Sequence, residues 1–301
     1  MQKFYGRTKM TNVIAFSAIF AAGVIAPAVN AQTADFATSS KLLLTGGVTN
    51  IEGSAGGGLT PWAVIGGYGT KDQIGANAFL TNVRSQDYEL RTGGALVGIY
   101  DRVELSFAQQ KFDTRQVGGL LGLGNGYKFT QKIYGVKVKV AGDAVLEQDS
   151  WLPQIAVGLQ RKENDRGDLL RALGIKSDRG TDYYVSATKL FLAQSLLLNG
   201  TVRFTKANQT GILGFGTTAR DKYDAVFEGS AALLLRKDLA VGVEFRQKPD
   251  HLPFKEGNWY DLFVAWAPTK NVSVTLAYAN LGNIVIKDRQ KGTYLSLQVG
   301  F

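Results

Sequence analysis

The stretch KGTYLSLQVGF, residues 291–301, decides the fold. Thr293, Leu295, Leu297, Val299 and Phe301 fall on one face, and Gly292, Tyr294, Ser296, Gln298 and Gly300 on the other. A period of two means a β-strand with one dry face and one polar or crowded face. The same split runs upstream. Tyr260, Leu262, Val264 and Trp266 oppose Asp261, Phe263 and Ala265, while Val202 and Phe204 oppose Thr201 and Arg203. Tyr134, Val136, Val138 and Val140 oppose Lys137 and Lys139. Aliphatics keep to one face and charges to the other.

Composition agrees. The 301 residues hold 36 Gly, no Cys and one His, with 45% hydrophobic residues. That excludes a disordered chain, a disulfide scaffold and any thiolate metal site. So much glycine does not suit a helix-rich fold.

A soluble sandwich also alternates. Here, however, the segments run about ten residues, enough at ~3.3 Å per residue and ~40° tilt to cross the ~25 Å apolar band of an outer membrane. Aromatics also bracket the aliphatic rows. Tyr260 and Trp266 flank Leu262 and Val264, Tyr278 ends its row, and Tyr100 opens the turn at Asp101-Arg102. Such girdles mark membrane barrels. The pattern predicts an all-β, antiparallel, up-and-down transmembrane β-barrel of about fourteen strands. They span 41–50, 61–69, 73–83, 88–100, 103–112, 130–140, 151–161, 182–192, 195–206, 225–235, 239–248, 258–266, 272–281 and 291–301. Gly66 and Gly67 weaken 61–69, so twelve strands is the fallback. Short turns, as at 236–238 and 267–271, alternate with long loops at 51–60, 113–128, 162–180, 207–223, 249–257 and 282–290. Turn lengths predict Glu228 opposite Arg246 inside, and Tyr260 beside Tyr278 outside.

The chain opens with Lys3, Arg7 and Lys9, then an apolar run over 13–25 and Val29-Asn30-Ala31. This reads as a cleaved secretory signal peptide over 1–31 rather than an uncleaved anchor, leaving one barrel domain over 32–301. The mature chain would keep 31 of the 34 basic residues against 25 acids, a net charge of +6. Export to the outer membrane of a Gram-negative cell follows, with membrane lipid as a partner and no nucleic acid.

The row Leu295, Leu297, Val299 and terminal Phe301 resembles the carboxy-terminal assembly signal of bacterial outer-membrane proteins, which implies the barrel-assembly machinery as a partner. GGVTNIEGSAGGGLTPWAVIGGYGT (46–70) and YDRVELSFAQQKFDT (100–114) are similar to an uncharacterised proteobacterial family of expected outer-membrane barrels. That resemblance covers most of the mature chain. It implies fold and location but carries no catalytic residue.

Chemistry is sparse. His251 follows Asp250 in a proline-flanked loop, but adjacent side chains on an extended loop diverge and no serine is near, so it reads as a solvated histidine rather than a catalytic base. The run Gly53–Gly58 lacks the Lys-Ser/Thr of a phosphate loop and reads as mobile. No cofactor and no metal site is expected. The interior charges Lys137, Lys139, Arg203, Glu228, Glu244 and Arg246 would line an open lumen and lean it toward anions; in a closed barrel they would pair with one another. Three long loops are unusually apolar, at Leu121 and Leu123, at Leu170 and Leu173, and at Phe215, which suggests a mouth for small hydrophobic solutes. The expectation is a passive, non-enzymatic channel for an unidentified small solute, hydrophobic or anionic. The alternatives are a barrel enzyme acting on lipid or peptide, and a closed barrel serving structure or adhesion.

Overall fold

The computed structural model describes residues 41–301. The expected signal peptide and its cut lie outside the described residues. Twelve strands close into one antiparallel barrel. They are β1 (Ile74–Ser85), β2 (Glu89–Ile99), β3 (Val103–Asp113), β4 (Lys128–Ala141), β5 (Gln154–Asn164) and β6 (Arg179–Phe191). After them come β7 (Leu196–Thr205), β8 (Asp224–Arg236), β9 (Leu239–Arg246), β10 (Trp259–Trp266), β11 (Val272–Asn280) and β12 (Lys291–Gly300). Each strand pairs with its sequence neighbour, and β12 closes on β1 from Gly292↔Ser85 to Gly300↔Asn77.

The outer wall is the apolar one. Leu80, Leu105, Val136, Val157, Val202, Leu262, Val264, Leu276, Leu295 and Leu297 are exposed, whereas Gln110, Lys137, Lys162, Asp182, Arg203, Glu228 and Glu244 are buried. That is the reverse of a soluble fold and fits a barrel whose outer face meets acyl chains. Exposed aromatics form two belts: Tyr183, Phe204, Phe227, Tyr260 and Tyr278 at one end, Tyr100, Trp151 and Trp266 at the other. Short connections at 100–102, 192–195, 237–238 and 267–271 mark the periplasmic rim, and the long loops mark the extracellular rim.

Two of the fourteen expected strands are not in the wall. Segments 41–50 and 61–69 belong to a stretch that enters the lumen and fills it, so the count is twelve. Within this plug Val48–Thr49 pairs with Ala55–Gly56 in a small hairpin. Residues 48–65 are all buried. The expected extracellular loop at 51–60, with its mobile glycine run, is therefore the buried core of the plug. Twelve strands make a cylinder too wide for their own side chains to fill, and a folded segment supplies the missing volume.

Glycine makes the fit possible. A Cβ on Gly98 of β2 would lie 2.1 Å from the Gly66 carbonyl oxygen of the plug. Gly98→Ala should therefore push plug and wall apart at a cost of about 1–3 kcal/mol. Because the chain has no cysteine, a single Ser54→Cys reports plug exposure. Its thiol labelling should speed up about tenfold or more when Gly98→Ala is added.

The register bears out one pairing and corrects the other. Glu228 faces Arg246. Tyr260 faces Asn280, and Tyr278 faces Leu262, two residues from the expected partner. The connection is wider than the five residues assumed, because Trp266 pairs with Val274 while Val272 pairs only with β12. A slip of two preserves the face, so both tyrosines still point outward.

Candidate functional site

The plug is held by polar bonds to the wall. Glu52, at the hairpin tip, meets three cations: Lys162 at 2.5 Å, Arg246 at 2.9 Å and Arg203 at 3.2 Å. Asp182 adds contacts to Lys162 and Arg203, and Glu228 to Arg203 and Arg246. Three cations and three carboxylates thus form a buried belt toward the extracellular side, with one carboxylate contributed by the plug. Paired this way, each buried charge recovers much of its desolvation cost.

Glu104 accepts from Ser54 Oγ and from the backbone N–H groups of Ala55 and Gly66. Lys137 donates to the Ala55 and Val64 carbonyls and to Glu104. Glu244 accepts from the Leu59 and Thr60 N–H groups and from the Thr60 hydroxyl. Wall side chains therefore satisfy the plug's backbone in place of sheet partners, as a buried irregular segment requires. A Cβ on Gly57 would lie 2.0 Å from Glu244 Oε1, so bare backbone is needed where the two meet.

All six interior charges singled out from the sequence face inward. Lys137, Arg203, Glu228, Glu244 and Arg246 engage the plug or the belt, and Lys139 pairs with Asp101 at the periplasmic rim. Among the described residues they bound no open lumen. They do what the closed alternative required, with the plug as an additional partner. Glu52, Glu104, Lys162 and Asp182 join them.

The apolar loop segments divide. Leu170 and Phe215 are buried and Leu123 packs on the core, while Leu173 and Leu121 are exposed. Leu170, Ile175 and Ile212 join one apolar cluster with Ile51 and Leu59 of the plug. Inside that cluster lies a small cavity of about 30 Å³. Ile51 and Leu59 form its floor, Tyr88, Phe112 and Trp259 part of its wall, and Ile212, Leu213 and Ile284 its roof. A second pocket opens at the periplasmic end among Lys41, Thr45, Asp101, Asp143 and Leu146. The plugged interior thus shows an apolar pocket at the extracellular end, an ionic belt beneath it, and a pocket of mixed lining at the periplasmic end.

His251 is not solvated. It is buried, and its Nε2 lies 2.6 Å from Asp224 Oδ2. Asp250 is not its partner. The imidazole fastens loop 247–258 to the start of β8, and its Nδ1 meets no hydroxyl among the described residues. Beside it, Lys248 reaches Gln209 Oε1 and the Asn283 carbonyl, with Glu256 at 3.4 Å. Burial pushes the Glu256 carboxyl up to about 7 against the opposing pull of Lys248, while Asp250 adds to the rise. Burial likewise lowers the Lys248 ammonium. In an open loop Glu256 would titrate near 4.5. Closing the loop therefore takes up a proton between those values, so closure is favoured below ~4.5 and weakens as pH rises through ~7. Protection of the amides in residues 247–258, exchange being corrected for its intrinsic base catalysis, should fall on the order of tenfold between pH 5.5 and 7.5, and Glu256→Gln should flatten that dependence.

An apolar outer wall, aromatic belts and a polar interior packed around an inserted segment define a plugged, twelve-stranded barrel of the outer-membrane type. Residues 45–298 match the family described as "Protein of unknown function (DUF3034)", and the chain belongs to that family. No match was found among curated proteins. Among solved structures the chain is similar to the KdgM porin at 9% identity and a TM-score of 0.49, covering 75% of this chain and 99% of that one. It is similar to the NanC porin at 11% and 0.47, covering 75% and 98%. Outer membrane phospholipase A from Escherichia coli follows at 9% and 0.43, covering 78% and 94%. Likenesses of that size say nothing about what the interior does.

Proposed function

We propose that this protein is a passive, non-enzymatic outer-membrane channel for a small solute, closed at rest by the segment 44–67 and opened when that segment shifts. One observation carries the reading: alongside the apolar side chains it packs against the wall, among them Ile51, Leu59, Trp62 and Val64, the plug is held there by a belt of ion pairs and hydrogen bonds. Such groups can exchange their partners for water, so displacing them costs far less than exposing the same area of apolar surface. The wall is a closed hydrogen-bonded cylinder that does not need the plug for its strand pairing. Among the described residues the Asp224–His251 pair has no hydroxyl side chain in hydrogen-bond reach of its free ring nitrogen, which favours the channel reading over a serine-dependent hydrolase.

The test ties the plug down. Ala63 N donates to Thr188 Oγ1 at 2.8 Å, so Ala63→Cys with Thr188→Cys places two thiols within reach in a chain that otherwise has none. In planar bilayers the oxidised protein should be silent, and reduction should restore voltage-induced openings. Equal conductance in both states would place the path elsewhere, or show that there is none.

A further inference from the structure

We infer that the outward wall of β1–β4, just beyond the aromatic belt on the extracellular side, is a binding site for an anionic lipid whose headgroup carries a phosphate monoester. The inference stands apart from the channel reading, because it concerns the outer face of the barrel and not its interior.

The outer face is not the same all round. On β7–β11 the outward strand positions near the extracellular end hold Phe204, Phe227, Phe245, Tyr260 and Tyr278, and no charged side chain. On β1–β4 they hold Arg84, Arg91, Lys111 and Lys132, one to a strand and all exposed.

The register sets their depth. Phe107 and Tyr134 are cross-strand partners with ring centroids 5.3 Å apart, and both are exposed. Such rings mark the level where acyl chains give way to headgroups. The next outward pair toward the extracellular end is Gln109 with Lys132, and after it comes Lys111 with Thr130. At ~3.3 Å per residue and ~40° tilt, each step rises about 5 Å, so both lysines stand at headgroup depth rather than out in the loops.

The charges crowd together. Arg91 is the direct partner of Lys111, and Lys132 is the diagonal neighbour of Lys111, ~7–8 Å away. Like charges directly opposed repel each other. The carboxylates nearby are engaged: Glu89 with Arg91 at 2.8 Å, Asp113 with Lys128 at 3.5 Å, and Glu163 with Arg161 at 3.7 Å. Among the described residues Lys111 and Lys132 make no ion pair. A phosphate monoester, with up to two negative charges and three acceptor oxygens, answers both free ammonium groups and leaves an oxygen for the Arg91 guanidinium. A zwitterionic headgroup brings its own cation and forfeits that attraction.

The wall beside the cations shows that the anion carries hydrocarbon. It is concave there, with Gly93 as the floor, Leu80, Leu295 and Leu297 on one bank, and Arg91 and Lys111 on the other. Gly93 lies between Leu80 and Gln109 in one cross-strand row, so bare backbone opens the gap. One amphiphile covers both banks, its acyl chain along the leucines and its phosphate on the cations. A soluble phosphate would use only one of them.

The experiment uses the full mature protein in a neutral detergent, with bound lipid counted by native mass spectrometry. Diphosphoryl lipid A is titrated against phosphatidylethanolamine, with glucose 1-phosphate as a headgroup without chains. Lipid A should bind saturably, one to a barrel. Replacing Arg91, Lys111 and Lys132 together by glutamine should weaken it about tenfold or more. Replacing Arg236, Lys237 and Lys270 by glutamine removes as many cations from the periplasmic rim and should leave it unchanged. Gly93→Leu alters no charge and should also weaken binding by filling the floor; its added Cβ meets only the end of the Leu80 side chain, at 2.9 Å. Equal losses in the two glutamine variants, or none in either, would overturn the site. Equally tight phosphatidylethanolamine would overturn the headgroup class. Displacement of lipid A by millimolar glucose 1-phosphate, or full binding by Gly93→Leu, would overturn the assignment to a lipid seated in the groove.

Discussion

Glu52→Lys is expected to expel the plug. In the native belt Lys162, Arg203 and Arg246 surround the Glu52 carboxylate, all of them essentially buried. Removing one partner from a buried ionic cluster costs about 3–5 kcal/mol because the remaining charges stay desolvated and unbalanced. A lysine at the same point adds a fourth cation. The docked state should lose at least ~3 kcal/mol, roughly a hundredfold in the docking equilibrium. In a Ser54→Cys background the labelling rate should rise by about that factor, with the strand content of the barrel unchanged. Glu52→Gln keeps the shape but not the charge, and should give an intermediate rate. If Glu52→Lys labels as slowly as the parent, the belt does not hold the plug.

Why the wall was legible in the sequence and the plug was not follows from what each face meets. Every wall strand separates acyl chains from a polar interior, and that contrast writes period two into the residues: Val202 and Phe204 outward, Thr201 and Arg203 inward. The twelve strands and the Glu228–Arg246 register follow from it. Residues 48–67 are buried without a break, so their pattern carries no outward face, and short stretches such as Val48-Thr49-Asn50 imitate a strand. The signal available was glycine density: Gly53, Gly56, Gly57, Gly58, Gly66 and Gly67 lie within fifteen residues. Backbone that crowded is better suited to close approach than to a lipid-facing strand. Lys162 and Asp182 share the inward parity of Gln160 and Tyr184; the expected strand 151–161 stops one residue short of Lys162, whereas Asp182 already opens the expected strand 182–192, so parity alone could have placed it inside. Glu52 could not be placed without knowing that its loop turns inward. His251 failed for a related reason: its partner Asp224 is 27 residues away, a contact made by loop closure rather than by local spacing.

Deleting residues 44–67 should turn a quiet barrel into a steadily conducting one with a preference for anions. The deletion removes the hairpin and the backbone that Glu104, Lys137 and Glu244 bind, while all twelve strands keep their hydrogen-bonded neighbours. Conductance should rise about tenfold or more over the intact protein, as expected when a lumen of this strand number is cleared. The belt then changes sign. With Glu52 present its three carboxylates balance three cations; without it Lys162, Arg203 and Arg246 face only Asp182 and Glu228. A narrow ring of net positive charge in a low-dielectric wall concentrates anions. Glu244 and Asp261, adjacent on β9 and β10, oppose it, so the preference should be a few-fold in permeability ratio rather than exclusive. Arg203→Gln in the same deletion should move the reversal potential toward cations, because Arg203 touches both Asp182 and Glu228 and its loss leaves the ring with two charges of each sign. A plugless barrel with the same low conductance as the parent would mean that the loops, through the buried Leu170, Ile212 and Phe215, seal the mouth unaided.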